Sequence, residues 1–431
     1  MKRILSLVLC VLLMMGAVSV GVAAEEKPES ITFWMGYSQQ SRVDAMEAIG
    51  QKYYEQTGVK VNFEVVTWPN TAEKWRAAYS AGQMPDIIIC LPDQAVAMFV
   101  AGATVPVDDV LEAIGGTDKF LDSVLTEQYY DGHYMAVPHY AHDRLLIYRK
   151  DALEAAGQSV PTTPEEYLAV TKAINNPPSY AFQQLFNTSD YGSAFMLDIF
   201  MRTFGAQYFD KSYNIVFDSP ETIKAVEFLI DMYNAGSQPS AMDFIINDQF
   251  TLLNTGATLM TLDSAFTIKS ALDSAPEIAE KMDVALAPAN YITTFPVCVC
   301  NGDNVETAKD FVRFMFEEDN YVDFLASYQP GMNPTMKAIA AEDSAFWKLP
   351  VFENALALKA SQTQAQGIEQ GGYSIGNQFG ANPFSGVLTS GYVEEMFQDI
   401  IVNGAPVADA VKACAERMQE AVNEQKEALG W

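Results

Sequence analysis

The spacing of apolar residues changes period several times in the first hundred positions. ITFWMGY (31–37) is β-branched and aromatic and closes around Gly36, which predicts a buried strand. RVDAMEAIGQKYYEQTG (42–58) carries its apolar residues at helical spacing and stops at Gly58. VKVNFEVVTW (59–68) alternates as a second strand, and TAEKWRAAYSAG (71–82) returns to helix behind Thr71, with Trp75 on the core-facing side. MPDIIICL (84–91) reads as an apolar third strand and AVAMFVAG (95–102) as a short helix. Three strand–helix pairs in a row predict a parallel sheet covered on both faces, because parallel strands need crossover helices to connect them.

The alternation then breaks. AVPHYAHDRLLIYRKD (136–151) is a longer extended run. Residues 161–236 read as mostly helical, with TTPEEYLAVTKAI and then SPETIKAVEFLIDMYNAG, where Pro220 suits the first helical position and Gly236 the stop. GATLMTLDS (256–264) and FPVCVC (295–300) are strand-like. ETAKDFVRFMFEEDNYVDFLASY (306–328) reads as helix, and the chain from Ala405 closes in a long polar helix. No internal repeat and no Gly/Ser-rich linker interrupts the order.

Composition adds an address. The chain starts MKR, continues through the apolar run ILSLVLCVLLMMGAVSV and reaches GVAAEE, with Val22 and Ala24 at positions suited to signal-peptidase cleavage. Residues 1–24 therefore read as a secretory signal, and the run is short for a membrane span. Cys10 lies inside the apolar run without small residues before it, unlike a lipid-attachment cysteine. The expected product is an exported protein beginning near Glu25, in the periplasm of a two-membrane bacterium. A net charge of −29, spread along the chain, excludes a nucleic-acid or anionic-membrane binder. Cys90, Cys298, Cys300 and Cys414 do not form a disulfide framework. Cys298 and Cys300 share a strand face, and all four read as buried thiols.

All three histidines sit in HYMAVPHYAHD (133–143). In an extended run His139 and His142 point to opposite faces, while His133 and His139 share a face roughly 20 Å apart. That geometry does not gather three zinc ligands. No Ser occupies a G-x-S-x-G elbow either.

Several blocks occur together in a fixed order: ITFWMG, YYEQTGVKVNFEVV, AGQMPDIII, AGATVPVDD, GHYMAVPHYAHDRLLIYRKDALEAAG, TTPEEYLAVTKAI, GATLMTLDSAF, ETAKDFVRFMF and GMNPT. Together they resemble the extracellular solute-binding proteins of family 1, the carbohydrate-binding components of ABC importers. The resemblance implies an α/β fold of two lobes joined by several crossing segments, a periplasmic-binding-protein fold of type II. It places lobe one at 25–138 plus 291–335 and lobe two at 139–290 plus 336–431. It also implies a monomer without metal or cofactor, not an enzyme, which captures a mono- or oligosaccharide and delivers it to a permease.

Ligands of open α/β sheets sit at the carboxyl ends of strands, and pockets favour boundaries between lobes. That rule selects Trp34, Tyr37, Trp68, Asp93 and Gln94 after the first three strands, and His142, Asp143 and Arg144 after the first crossing. By the resemblance, LDSAF (262–266) falls where family members often have a Gly-x-Trp contact, with Phe266 in place of the Trp and Asp263 added. Tyr328 and Asn333 adjoin the last crossing, and Tyr373 and Phe379 lie in the loop GGYSIGNQFGANPFSG (371–386). Aromatic plates paired with polar side chains suit sugars, which have apolar C–H faces and polar edges. Two alternatives stay open. One is a non-sugar solute such as a peptide, an organic acid or a polyamine, and an anion among these would need Arg144. The other is a glycan hydrolase built on two of Asp93, Asp143 and Asp263.

Overall fold

The computed structural model describes residues 27–431, so the expected signal segment lies outside the described residues. Among the described residues, eleven strands form two main sheets and a short hairpin. β1 (Ser30–Met35), β2 (Lys60–Val65), β3 (Ile87–Ile89), β6 (Val137–Asp143) and β11 (Ile292–Val299) build the first sheet, in the order β2-β1-β3-β11-β6. β7 (Leu145–Arg149), β8 (Tyr180–Phe182), β9 (Thr258–Asp263) and β10 (Met282–Leu286) build the second, in the order β10-β7-β9-β8. β4 (Tyr129–Tyr130) and β5 (His133–Tyr134) form the hairpin.

The early strand–helix alternation produces β2, β1 and β3 as parallel neighbours. The first sheet as a whole is mixed, because β11 enters antiparallel between β3 and β6. Side-chain alternation sorts its residues into two layers. Phe33, Ile87, Ile89, Val297 and Val299 face one core, while Ile88, Cys90, Cys298 and Cys300 face the other. All four described cysteines are buried free thiols, with Cys298 and Cys300 on one strand face. In the second sheet Leu146 and Tyr148 face the large lobe-two core, and Leu145 and Ile147 the smaller one.

Helix 40–57 ends where Gly58 takes φ +78°, a left-handed conformation that lets its N–H cap the Tyr54 carbonyl. Thr163 and Glu166 form the capping box of helix 164–174. The segment 306–328 divides into helices 305–315 and 318–326 at Phe316–Glu317. β8 and β10 are additions to the sequence reading, three and five residues long. No described helix is long and apolar enough to cross a membrane.

The lobe boundaries move from those implied by the resemblance. The whole of β6 pairs with β11 in the first sheet and β7 pairs in the second, so the first crossing is at Arg144 rather than 138/139. Residues 287–291 make the return crossing between β10 and β11. Ile339, Phe346 and Phe352 pack into the lobe-one core, so lobe one continues through about residue 352 rather than ending at 335. Helix 355–370 then lies across the boundary against both β6 and β10. The shift has a simple cause: the ladder between β6 and β11 extends from Val137 to Asp143, and a fully paired strand stays in one sheet.

That ladder also moves one histidine. Phe295 pairs with Tyr140 and Pro296 with Pro138, leaving His139 as the extra residue of a bulge. Strict alternation would set His139 and His142 on opposite faces. With the bulge, both rings join the aromatic layer around Tyr140 and Phe295.

Candidate functional site

The carboxyl ends of β1, β2, β3 and β6 point toward lobe two, and those of β8 and β9 point back toward them. Among the lobe-one candidates, Trp34 and Tyr328 are half-buried aromatics, and so is Trp68. Its ring meets Phe295 edge-on at 5.3 Å and Tyr37 at 6.4 Å. A Cβ added at Gly36 would stand 2.5 Å from the Trp68 ring, so Gly36 is what lets the indole lie flat on the end of β1. Tyr37 is fully buried and its hydroxyl bonds His139 Nδ1 at 3.0 Å, which makes it the support of this corner. Trp34 points to the other layer, stacked on Trp75 at 5.6 Å with Lys74 over its ring at 4.2 Å.

Asp93 lies in the first turn of helix 92–100 and has no basic partner within ion-pair distance among the described residues. Burial between the lobes raises its carboxyl to about 6, opposed by its own and Gln94's backbone N–H groups. Gln94 is occupied within the chain: its Nε2 donates to Thr71 Oγ1 at 3.1 Å, and its Oε1 accepts from Leu91 N at 3.4 Å.

The three residues of the first crossing do different jobs. Asp143 Oδ1 accepts from Tyr291 N at 2.7 Å and from Arg144 N at 2.9 Å, stitching the two crossings together. A Cβ on Gly367 would overlap its other oxygen, so the carboxyl faces helix 355–370 rather than the space between lobes. Burial raises it to about 7. Arg144 pairs with Asp263 and lies 4.4 Å from the centre of the Phe195 ring. Asp263 also accepts from Ser264 N at 2.7 Å and Thr267 Oγ1 at 2.5 Å. The Asp263 carboxylate expected to reach ligand is thus saturated by its own chain. His142 is held neutral by burial, then by the charges of Arg144 and Arg42, and its ring lies 5.3 Å from Phe295 and 5.9 Å from Phe266.

Phe266 packs over Gly331 and 5.5 Å from Tyr328, at the back edge of the same corner. Asn333 is spent on the last crossing, donating to Ser361 O at 2.8 Å and accepting from Gln364 Nε2 at 2.7 Å. The Arg202 guanidinium covers Tyr373 at 3.7 Å. Phe379 stands apart, 48% exposed, in an outer groove of about 560 Å³ with Tyr129, Tyr213 and Trp431. The structure therefore brings Trp68, Tyr37, His142, Phe266 and Tyr328 into one aromatic corner, and does not bring Trp34, Asp143, Asn333 or Phe379 into it. Asp263 is bonded through both oxygens and Asp143 turns its second oxygen toward helix 355–370, so the three candidate carboxylates supply no free pair for bond hydrolysis.

Four participants escaped sequence reasoning. Phe295 backs Trp68, Arg42 lies over Tyr37 at 4.0 Å, and the Tyr191 hydroxyl feels the charges of Arg144, Asp190, Asp93 and Asp263. The fourth, Glu127, joins the lobes: it accepts from the Ser374 backbone N–H, and from Ser374 Oγ at 3.0 Å. Burial raises its carboxyl to about 7, against the Ser374 bonds and the charge of Arg202. The unfolded chain ionises this group near its ordinary value, while the folded one resists, so stability is lost as pH rises from about 4.5 to about 7. Glu127→Gln is expected to flatten that part of the profile in thermal melts from pH 4 to 8. Wild-type and variant curves that run parallel across the window would contradict this.

Comparison with known proteins places this geometry. Residues 48–354 match the family described as bacterial extracellular solute-binding protein. The chain is similar to an arabinooligosaccharide-binding protein of Halalkalibacterium halodurans, 23% identical over 309 residues, covering 66% of this chain and 67% of that one. It is also similar to a maltotriose-binding protein of Pyrococcus abyssi, 25% identical over 247 residues, 55% of this chain and 49% of the relative. A solved solute-binding protein of Thermotoga lettingae, bound with alpha-D-tagatose, superposes with a TM-score of 0.76 at 19% identity, covering 91% of this chain and all of that one.

Proposed function

Since the chain belongs to the bacterial extracellular solute-binding proteins, we propose that it captures a carbohydrate between its lobes and passes it to the membrane subunits of an ABC importer. In this reading it works as a monomer in the periplasm after loss of its leader. One observation carries the sugar assignment: the half-buried Trp68 ring, seated on Gly36 and braced by Phe295, shares the lobe-one edge with the Asp93 carboxylate, which lacks a basic partner. An indole face offers contact to sugar C–H groups with few rotors to freeze, and an unpaired carboxylate accepts from hydroxyls. The relatives' names, for arabinooligosaccharide and maltotriose, and the tagatose in the similar structure point to the same class.

Titration calorimetry and melting shifts across a broad panel of mono- and oligosaccharides test the assignment. At least one sugar is expected to bind and raise the melting temperature. A panel that gives neither heat nor shift for any sugar ends it.

Closure should accompany binding. The ligand stabilises the closed arrangement only through its differential contacts with the two lobes. The radius of gyration from small-angle scattering is expected to fall when a binding sugar is added. An unchanged radius in a sample with binding confirmed would replace the clamp with a preformed pocket.

A further inference from the structure

Three arginines are largely withdrawn from solvent beside the two crossings, and two have carboxylates: Arg144 pairs with Asp263, and Arg202 with Asp198. Arg42, 2% exposed, has none within 4.0 Å among the described residues. Its Nη1 donates to Gln39 Oε1 at 3.2 Å and its Nη2 to the Tyr140 hydroxyl at 2.7 Å, while Nε has no partner. A guanidinium has five N–H donors, so three remain unused. Aromatic faces take the place of a counter-ion, with ring centres of Tyr37 at 4.0 Å, Tyr140 at 5.1 Å, Phe266 at 5.9 Å and Tyr328 at 6.0 Å from its Cζ. A buried charge without a counter-ion is costly, and ring quadrupoles return only part of that cost.

The position matters as much as the missing partner. Arg42 belongs to lobe one, in the first turn of helix 40–57, and Phe266 to lobe two, so the guanidinium lies where the lobes meet in the aromatic corner. His142, across that corner, also has a buried ring nitrogen, Nδ1, without a partner. Burial, and after it the nearby arginine charges (Arg42 for His139, Arg144 and then Arg42 for His142), favours the neutral forms of both histidines, so neither adds a second cation. The one cation expected from the sequence to receive an anion, Arg144, is already neutralised by Asp263.

We infer that the ligand itself supplies the counter-ion of Arg42, and that the solute is an acidic sugar whose single carboxylate docks at this guanidinium. The inference rests on the carbohydrate reading and narrows it. A carboxylate matches one guanidinium in charge and takes two of its three unused N–H donors. A phosphate dianion would bring more negative charge than this single guanidinium neutralises.

The test pairs acids with their neutral parents: D-galacturonate with D-galactose, D-glucuronate with D-glucose, and a disaccharide of one uronate and one neutral sugar with its fully neutral counterpart, added to the broad sugar panel. On the wild-type protein each acid that binds is expected to do so about tenfold or more tightly than its parent, the size of a charge-assisted hydrogen-bond pair. Arg42→Gln should bring that ratio toward one, and Arg42→Lys should retain part of it, with circular dichroism confirming that both variants fold. Neutral parents binding as well as or better than the acids would overturn the inference and leave the sugar reading standing. An acid preference that survives in Arg42→Gln would overturn the role of Arg42. Absence of binding by every saccharide, acidic or neutral, would overturn both readings. The wild-type comparison decides the matter even where a variant fails to fold.

Discussion

Asp263→Ala is expected to destabilise the ligand-free protein by about 3–5 kcal/mol, the cost of leaving a buried charge unpaired. The substitution strands Arg144, whose side chain is 8% exposed and whose partner Asp263 is 3% exposed. It also removes acceptors from Ser264 N and Thr267 Oγ1 at the start of helix 266–274. Asp263 ends β9 opposite Leu145, the first residue of β7, so the pair clamps the second sheet just where the chain enters it. Urea unfolding followed by tryptophan fluorescence measures the loss. Replacing the pair together, as Arg144→Met with Asp263→Leu, should recover most of it, since apolar residues of similar size avoid the desolvation cost. Intact unfolding in Asp263→Ala together with lost ligand binding would make Asp263 a ligand group instead.

Trp68→Ala and Trp34→Ala should separate affinity from stability. Trp68 is expected to contribute about 1–3 kcal/mol to binding, the transfer free energy of a large side chain that ligand completes burying. Trp34 sits in the other layer, stacked on Trp75 and facing away from the aromatic corner. Its truncation should lower the melting temperature and leave the dissociation constant nearly unchanged. Calorimetry and thermal melts on both variants read the two effects independently. Equal losses of affinity in the two would refute the layer assignment.

The two tryptophans also show what a sequence discloses. Strand β1 and helix 40–57 were readable because their apolar periods, two and 3.6, persist over several repeats. Which face of β1 meets the ligand was not, because Trp34 and Tyr37 both sit near a strand end and only the sheet neighbours assign the layers. β8 has three residues, too few to show a period. The bulge at His139 depends on a partner strand some 150 positions away, so parity along β6 alone misplaced that ring. The strand-end rule selects Asp93 and Trp68, and the family resemblance selects Asp263, whose saturation by Arg144 and Thr267 is a property of three dimensions. Arg42 is the extreme case, since its interest lies in a partner that is missing, and a missing partner leaves no mark on the sequence.

The insertion of β11 between β3 and β6 has a consequence for the order in which the molecule is made. A nascent chain delivers β6 early, yet among the described residues its one partner strand is β11, which follows roughly 150 residues later, and its other edge bridges only to Asn333, later still, so a long loop must close before the pairing rewards it. Until Val299 has emerged, the first sheet is only β2-β1-β3, with β3 as a bare edge. Closure of the first sheet is therefore expected only after most of the chain has been made. Truncation anywhere before Val299 costs the first lobe its closing strand as well as shortening the second.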